Sequence, residues 1–529
     1  MAPQGRFNTI GISGHATVNN AGRDIVMGDY INAAPGRISL FPDFVVQDAA
    51  YNGRSSSSTR VGCLRGTRVQ AIEEILRWKD EPEGKPFCWM TGPAGFGKST
   101  ILQTVAEASA RDGTLAASFF FLRGADGRSR VNHFISTLAF QITMSVPQVK
   151  PIVEMVLERD PTILHQSIAS QFQALIFTPF MELKEGDLPT RILLVVIDGL
   201  DECNDQESIQ EFIDALAGAF QVGLHLKIRW LLASRGEEHI RQSFSGTVSQ
   251  QATLVLHLDR FDAHSDIEMF LKARFSDIIQ RNPRLFRGIP LPWPSSLNLD
   301  ALVQKSDGLF IFAATLVNFV TDGKAAPNRR LESVLQMHTG LDPLYGQVLT
   351  EASEIACFRQ VLMALMLLYK EPSVEMLASI LELSVQDVLH ALLAIQSIIR
   401  IPSDDNTRIQ LHHTSLRDFL VDEGRSKDLF IDPPAAHATL AAACVKVLQR
   451  NLKEDIFPEE AAMKYAAEFW TRHLEDSRNT GEASPELLGA LQDFSSSQVI
   501  EPWINMLILA YTDYNMVTRL IDLSAKYEV

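Results

Sequence analysis

Two regimes of hydrophobic patterning divide this chain. Between residues 61 and 260, short and almost wholly apolar runs alternate with amphipathic stretches, which predicts parallel strands buried on both faces and joined by helices. The runs occupy 87–91, 115–122, 191–197, 226–233 and 253–258. Helical spacing precedes the first run over 67–78, with apolar residues at 69, 72, 75 and 76, and follows it on Ile101, Leu102, Val105 and Ala106 until Asp112-Gly113. A predominantly helical stretch then reaches about Leu183, and Ser265-Asp266 opens a helix on Ile267, Phe270, Leu271 and Phe275. Beyond that point the alternation stops. Residues 282–298 form a proline-punctuated loop and 299–320 read as two helices. Helical patterns continue from Leu331 through 361–368, 374–380 and 385–393, then a short strand at 408–411, the order of a winged helix. From Ala435 the chain reads as alanine- and leucine-rich helix to its last residue, with no propeller, ankyrin or leucine-rich period.

The expected architecture is an α/β core with a parallel sheet, followed by α-helical, winged-helix and C-terminal helical domains. Its boundaries are 1–60 for a Gly/Asn-rich tail and linker, 61–260 for the core, 261–330, 331–430 and 431–529. Within the tail, 7–32 is rich in Gly, Asn and β-branched residues and is followed by the polar run 55–59. It reads either as disorder or as a segment that stacks between chains as cross-β, a candidate contact for protein signalling partners.

The chemistry concentrates at two strand ends. After the run at 87–91 comes Gly92-Pro93-Ala94-Gly95-Phe96-Gly97-Lys98-Ser99, which fits G-x-x-x-x-G-K-[ST], with Thr100 next. Its glycines let successive N–H groups turn toward an anion, Lys98 supplies a charge for outer phosphates, and the Ser99 hydroxyl can bind an accompanying Mg2+. About a hundred residues later the apolar run 191–197 ends in Asp198-Gly199-Leu200-Asp201-Glu202, a Walker B pattern in which Asp198 would hold Mg2+ and Asp201 or Glu202 would orient or deprotonate water. Arg235, just past the run 226–233, is placed to sense a γ-phosphate, the plain alternative being a solvated or ion-paired arginine.

Composition narrows the class. The chain has 529 residues and a net charge of −16, which argues against tracking nucleic acid or anionic membranes. Cys63, Cys88, Cys203, Cys357 and Cys444 lie far apart without a C-x-x-C pair, as expected of reduced core thiols. Neither a signal pattern nor a run long enough to span a bilayer is visible, so a cytoplasmic protein without a membrane span is expected.

The set GPAGFGKST, LLVVIDGLDE, LLASR, GLFIFAAT and LHHTSLRDFL, with CLRGTR upstream and KYAAEFWTRHL downstream, resembles the NACHT-type STAND NTPases of mushroom-forming fungi over about residues 61–480. The resemblance implies an ATP/ADP-operated signalling switch, with GTP/GDP as the alternative. A closed form exchanges nucleotide, opens and self-associates in defence, self/non-self recognition or cell death. It also implies nucleotide on the Gly92 to Thr100 loop, Mg2+ at Ser99 and Asp198, coupling acids at Asp201 and Glu202, and contact of His413 with the β-phosphate in the closed form. The family's usual C-terminal repeat array and full-sized N-terminal effector domain are not recognisable here. Readings from other classes are a P-loop turnover enzyme, such as a small-molecule or nucleotide kinase, and a scaffold that binds nucleotide without hydrolysis.

Overall fold

The structure is a computed structural model and describes residues 44–53, 61–124, 127–129, 131–221, 227–452, 461–477, 485–496 and 503. The Gly/Asn-rich segment 7–32 and the last residues expected as helix lie outside them. Each of the five apolar runs matches a strand to within two residues at either end: β1 (Phe87–Thr91), β2 (Leu115–Phe120), β3 (Leu193–Asp198), β4 (Ile228–Ser234) and β5 (Thr253–His257). All pair in parallel, in the order β2-β3-β4-β1-β5. β4 thus separates the strand before the glycine-rich loop from the strand ending in Asp198, and Arg235 follows the strand between them. β2 stops short of the expected Leu122 because Phe121 donates its N–H to the Asp198 carbonyl and Leu122 donates to Arg128.

Side-chain alternation explains why these runs are apolar throughout. Cys88, Met90, Phe120, Leu194, Val196, Leu231 and Ala233 meet the helices Val69–Asp80 and Lys98–Arg111 on one face. On the other, Phe119, Phe134, Phe172, Phe212 and Trp230 form a chain of edge-to-face rings with centroids 5.0 to 6.0 Å apart.

Ahead of the sheet, residues 44–53 run as a strap along its β2 edge. Val46 and Tyr51 donate their N–H groups to Thr137 and Ser118, each at 2.9 Å, while Gln103 donates to the Tyr51 carbonyl at 3.0 Å.

After β5 the regular elements among the described residues are helices and one two-stranded hairpin, β6 (Ile399–Arg400) with β7 (Gln410–Leu411). Sequence patterning located only the second of these, and Arg408 makes an isolated bridge to Ser373 rather than lying in the strand. The helix expected to open on Ser265-Asp266 spans His264–Arg281 without a side-chain cap, because its N-cap residue is Ala263, while Asp266 accepts the N–H of Arg68. From Ala263 to Trp503 the buried apolar side chains merge into one cluster. Inside it His437 and His473 meet through their Nδ1 atoms at 2.7 Å, and His473 Nε2 lies 2.8 Å from the Tyr465 hydroxyl, which accepts the N–H of Tyr369. All five cysteines are free, with Cys88, Cys203 and Cys444 buried.

Candidate functional site

Gly95 and Gly97 adopt φ of +83° and +87°, a left-handed turn that carries β1 into the helix starting at Lys98. Ala94, Gly95, Gly97, Lys98, Ser99 and Thr100 line a cavity of about 560 Å³ together with Asp198, Asp201, Glu202, Arg235 and His413. Residues more than 300 positions apart in sequence thus share one wall. Gly92, Pro93 and Phe96, expected with them, are not among its lining residues. The carbonyls of Gly92 and Pro93 hold the Lys98 ammonium at 2.6 and 2.9 Å. Phe96 turns its ring toward Gly308 and offers its carbonyl to Arg68 at 2.9 Å. Burial pulls the Lys98 ammonium below its ordinary pKa, and the charges of Asp201 and Asp198 oppose that shift.

The two adjacent acids are held differently. Asp201 is buried and accepts the Arg235 backbone N–H at 2.9 Å, with its other oxygen 3.2 Å from Arg235 Nε. Glu202 accepts the Arg123 N–H at 3.2 Å and the Thr414 hydroxyl at 3.4 Å. Burial, with Asp201 and Asp198 nearby, pushes the Glu202 carboxyl up to about 7. A carboxyl at that value has the proton affinity of a base near neutral pH.

Arg235 is not a free sensor in this conformation. Besides Asp201 it binds the Asp418 carboxylate and, at 3.1 Å, the Thr414 hydroxyl, both on the chain after the hairpin. It therefore ties the end of β4 to the helix Ser415–Leu420.

That helix is capped by an unexpected group. Neither the Thr414 nor the Ser415 hydroxyl caps it; His413 Nδ1 accepts the Ser415 N–H at 3.0 Å. The bond leaves the ring proton on Nε2, as a donor. Burial and the charges of Arg235 and Lys98 push the His413 imidazole down to about 4. His412 borders the same cavity, because β7 ends at Leu411 and strand alternation does not govern the two histidines.

The cavity's other end is built by residues whose part the sequence did not disclose: Val61 to Leu64, Arg68, Phe270, Arg274, Phe310 and Ile311. Arg68 has φ of 57°, unusual for a side-chain-bearing residue, and lies 4.8 Å from the Phe310 ring centroid. Its Nε and Nη1 are buried without a hydrogen-bond partner. Unsatisfied donors beside an open cavity suit a ligand with acceptor atoms. Arg68 belongs to the CLRGTR stretch, but nothing in its local pattern announces a cavity residue.

Ser99 and Asp198 border the same space and offer hard oxygen donors. Among the described residues no three metal-type side chains converge. The pair therefore suits Mg2+, which draws most of its ligands from phosphate oxygens and water. Among the described residues no single helix is long and apolar enough to cross a membrane.

Residues 66–235 match the family model of the nephrocystin 3 N-terminal region. Vegetative incompatibility protein HET-E-1 of Podospora anserina is 22% identical over 486 residues, covering 82% of this chain and 34% of that relative. The chain thus spans about a third of its length. Among solved structures, a signal transduction ATPase with numerous domains and a tetratricopeptide repeat sensor, from Pyrococcus horikoshii, aligns over 87% of this chain and 60% of its own at 13% identity and a TM-score of 0.39. Cdc6p from Pyrobaculum aerophilum aligns over 70% of this chain and 96% of its own at 13% identity and a TM-score of 0.31. Superpositions this loose add nothing to the observed strand order. The glycine-rich loop and the Asp-Gly-Leu-Asp-Glu turn both fall within the matched residues, and these sequence matches agree with the chain's resemblance to the NACHT-type STAND NTPases of fungi.

Proposed function

We propose that this chain is a nucleotide-operated switch that binds ATP with Mg2+, hydrolyses it slowly, and opens and self-associates when the nucleotide state changes. The observation that supports this most directly is the double engagement of Arg235, which joins Asp201 beside the sheet to Asp418 and Thr414 beyond the hairpin, within the wall of one cavity. An arriving γ-phosphate competes with Asp418 for this guanidinium, so nucleotide state and interdomain contact share one group.

In this reading Lys98 leaves the Gly92 and Pro93 carbonyls to meet the outer phosphates, and Ser99 and Asp198 hold Mg2+. Bound there, Mg2+ would neutralise charge on the β- and γ-phosphates. Glu202 orients the attacking water and takes its proton, while Asp201 fixes Arg235. His413 Nε2–H donates to the β-phosphate, and Arg68 and Phe310 cradle the base and ribose. Among the described residues the walls at the base end include no carboxylate side chain to meet the N1–H and amino group of guanine, which favours adenine. The 331–430 region acts as the winged helix that closes on the nucleotide. Given the name of the Podospora relative, a role in fungal self/non-self recognition, defence or regulated cell death is the biological extension of this reading.

The test is to denature the purified protein and identify released nucleotide by chromatography, beside Lys98→Ala. Retained adenine nucleotide in wild type and its loss in the variant are expected. Equal nucleotide content in both would refute the site assignment.

A further inference from the structure

Behind the phosphate end lies a second cavity, of about 320 Å³, between the sheet and the hairpin region. It shares Ser99, Asp198, Glu202 and His413 with the nucleotide cavity, so the two spaces meet where a γ-phosphate would be cut. Its remaining walls carry four basic side chains, Arg123, Arg128, Lys370 and Arg417, against one acid, Glu371. Arg128 is only 4% exposed and donates Nε to the Phe120 carbonyl. Lys370 is engaged by Glu468 at 2.7 Å and Arg123 by the Asp201 carbonyl at 2.7 Å.

Arg417 is different. Its Nε is buried without a partner, and among the described residues no carboxylate or carbonyl pairs with its guanidinium. Of the neighbouring acids, Asp418 is engaged by Arg235, Glu202 by Arg123 and Thr414, and Glu371 by Gln410, so that all three act on Arg417 through charge alone. Gly124, at φ of +84°, leaves the space that the guanidinium fills, since a Cβ there would stand 3.3 Å from Nη2. A charge withdrawn from water without a directly bonded counter-ion is costly, and a guanidinium's planar fork matches phosphate oxygens. The cavity has many times the ~30 Å³ that one water occupies, enough for a hydrated anion.

We propose that this cavity binds a phosphate dianion, with Arg417 as its principal contact, and that it receives the phosphate released by hydrolysis. The source, though not the site, rests on the NTPase reading above. In the step that fills it, the water oxygen bonds to the γ-phosphorus as the bond to the bridging oxygen breaks. The diphosphate leaves with that bridging oxygen, and the water proton passes through Glu202 to solvent. The freed phosphate then lies beside Arg417 while diphosphate still occupies the loop.

The experiment titrates inorganic phosphate into ADP-loaded full-length protein by calorimetry, for wild type, Arg417→Gln and Arg417→Lys, with circular dichroism checking the fold of each. Saturable binding in wild type, weakened roughly tenfold to a hundredfold in Arg417→Gln and partly recovered in Arg417→Lys, is expected, that being the usual worth of a hydrogen bond to a charged group. Absence of saturable phosphate binding to wild type overturns the proposal without any variant, as does equal affinity in folded Arg417→Gln. A parallel measurement separates the sources: in a single turnover of ATP, phosphate formed by acid quench should precede phosphate detected free in solution. If ATP is cut and the two appear together, hydrolysis as the source is overturned; if ATP is not cut at all, the NTPase reading fails while the titration still decides the site.

Discussion

Gly95 is where the phosphate loop touches the helical half of the molecule, and adding one methyl there should uncouple the two. The Ile311 N–H donates to the Gly95 carbonyl at 3.2 Å. A Cβ built on Gly95 would fall 2.2 Å from Ile311 Cγ2 and 3.2 Å from Ile311 Cβ. Carbon atoms rest at about 3.5–4.0 Å, so Gly95→Ala forces the helix Phe310–Val320 and the loop apart by more than an ångström. Overpacking of this kind costs about 1–3 kcal/mol. Holding alanine at φ of +83° adds about 1–2 kcal/mol. At ~1.4 kcal/mol per decade, the summed ~2–5 kcal/mol shifts docking of helix on loop by roughly 30- to 4,000-fold. The assay is release of a fluorescent adenine nucleotide from Gly95→Ala, Ile311→Ala and the double variant. Gly95→Ala should release faster, and the double variant should be roughly 5- to 140-fold slower than the two single effects multiplied, because removing the branched side chain removes the collision and leaves only the backbone term. Simple multiplication of the single effects would refute the reasoning.

Glu202→Gln should slow single-turnover hydrolysis by about 100-fold or more while nucleotide stays bound, whereas Asp201→Asn should chiefly speed exchange by loosening Arg235; equal effects on hydrolysis would remove the distinction. His413→Ala should raise nucleotide exchange by roughly 10- to 100-fold and increase self-association on size exclusion, while His412→Ala should change little. Burial lowers the pKa values of both His437 and His473 below the ordinary 6.5, with Asp476 raising and Arg472 lowering that of His437. The folded protein therefore binds fewer protons there than the unfolded chain, so stability is complete above pH 6.5 and declines as pH falls below it. Melting temperatures across that range should report the decline, and His473→Gln should flatten it.

Much of the sheet could be read from sequence because strands buried on both faces must be apolar at every position, and that signal is independent of partners. The glycine-rich loop was legible for a related reason: its function fixes backbone conformation at set intervals, as Gly95 and Gly97 demonstrate. Adjacency was not legible, since nothing local in β4 states that it lies between β1 and β3. The first hairpin strand, Ile399–Arg400, escaped because two residues carry no period. Arg235 was found, but not its partner Asp418, 183 positions away. Arg68 and Arg417 were missed as site residues because their significance lies in buried, unpaired nitrogens, a property of the packed molecule alone.

The strap along β2 has a mechanical consequence. Because Val46 and Tyr51 are bonded to Thr137 and Ser118, the chain enters the described structure fixed to the sheet rather than to the helices beyond it. If the helical half swings away as the nucleotide changes, the strap stays in the sheet's frame of reference. In a ring of open subunits joined through their sheets, every copy would then deliver its Phe44 at the same radius and angle. The assembly would convert a hinge movement in each subunit into a regular array of entry points, whose spacing is set by the sheet-to-sheet contact and is indifferent to how far each hinge has opened.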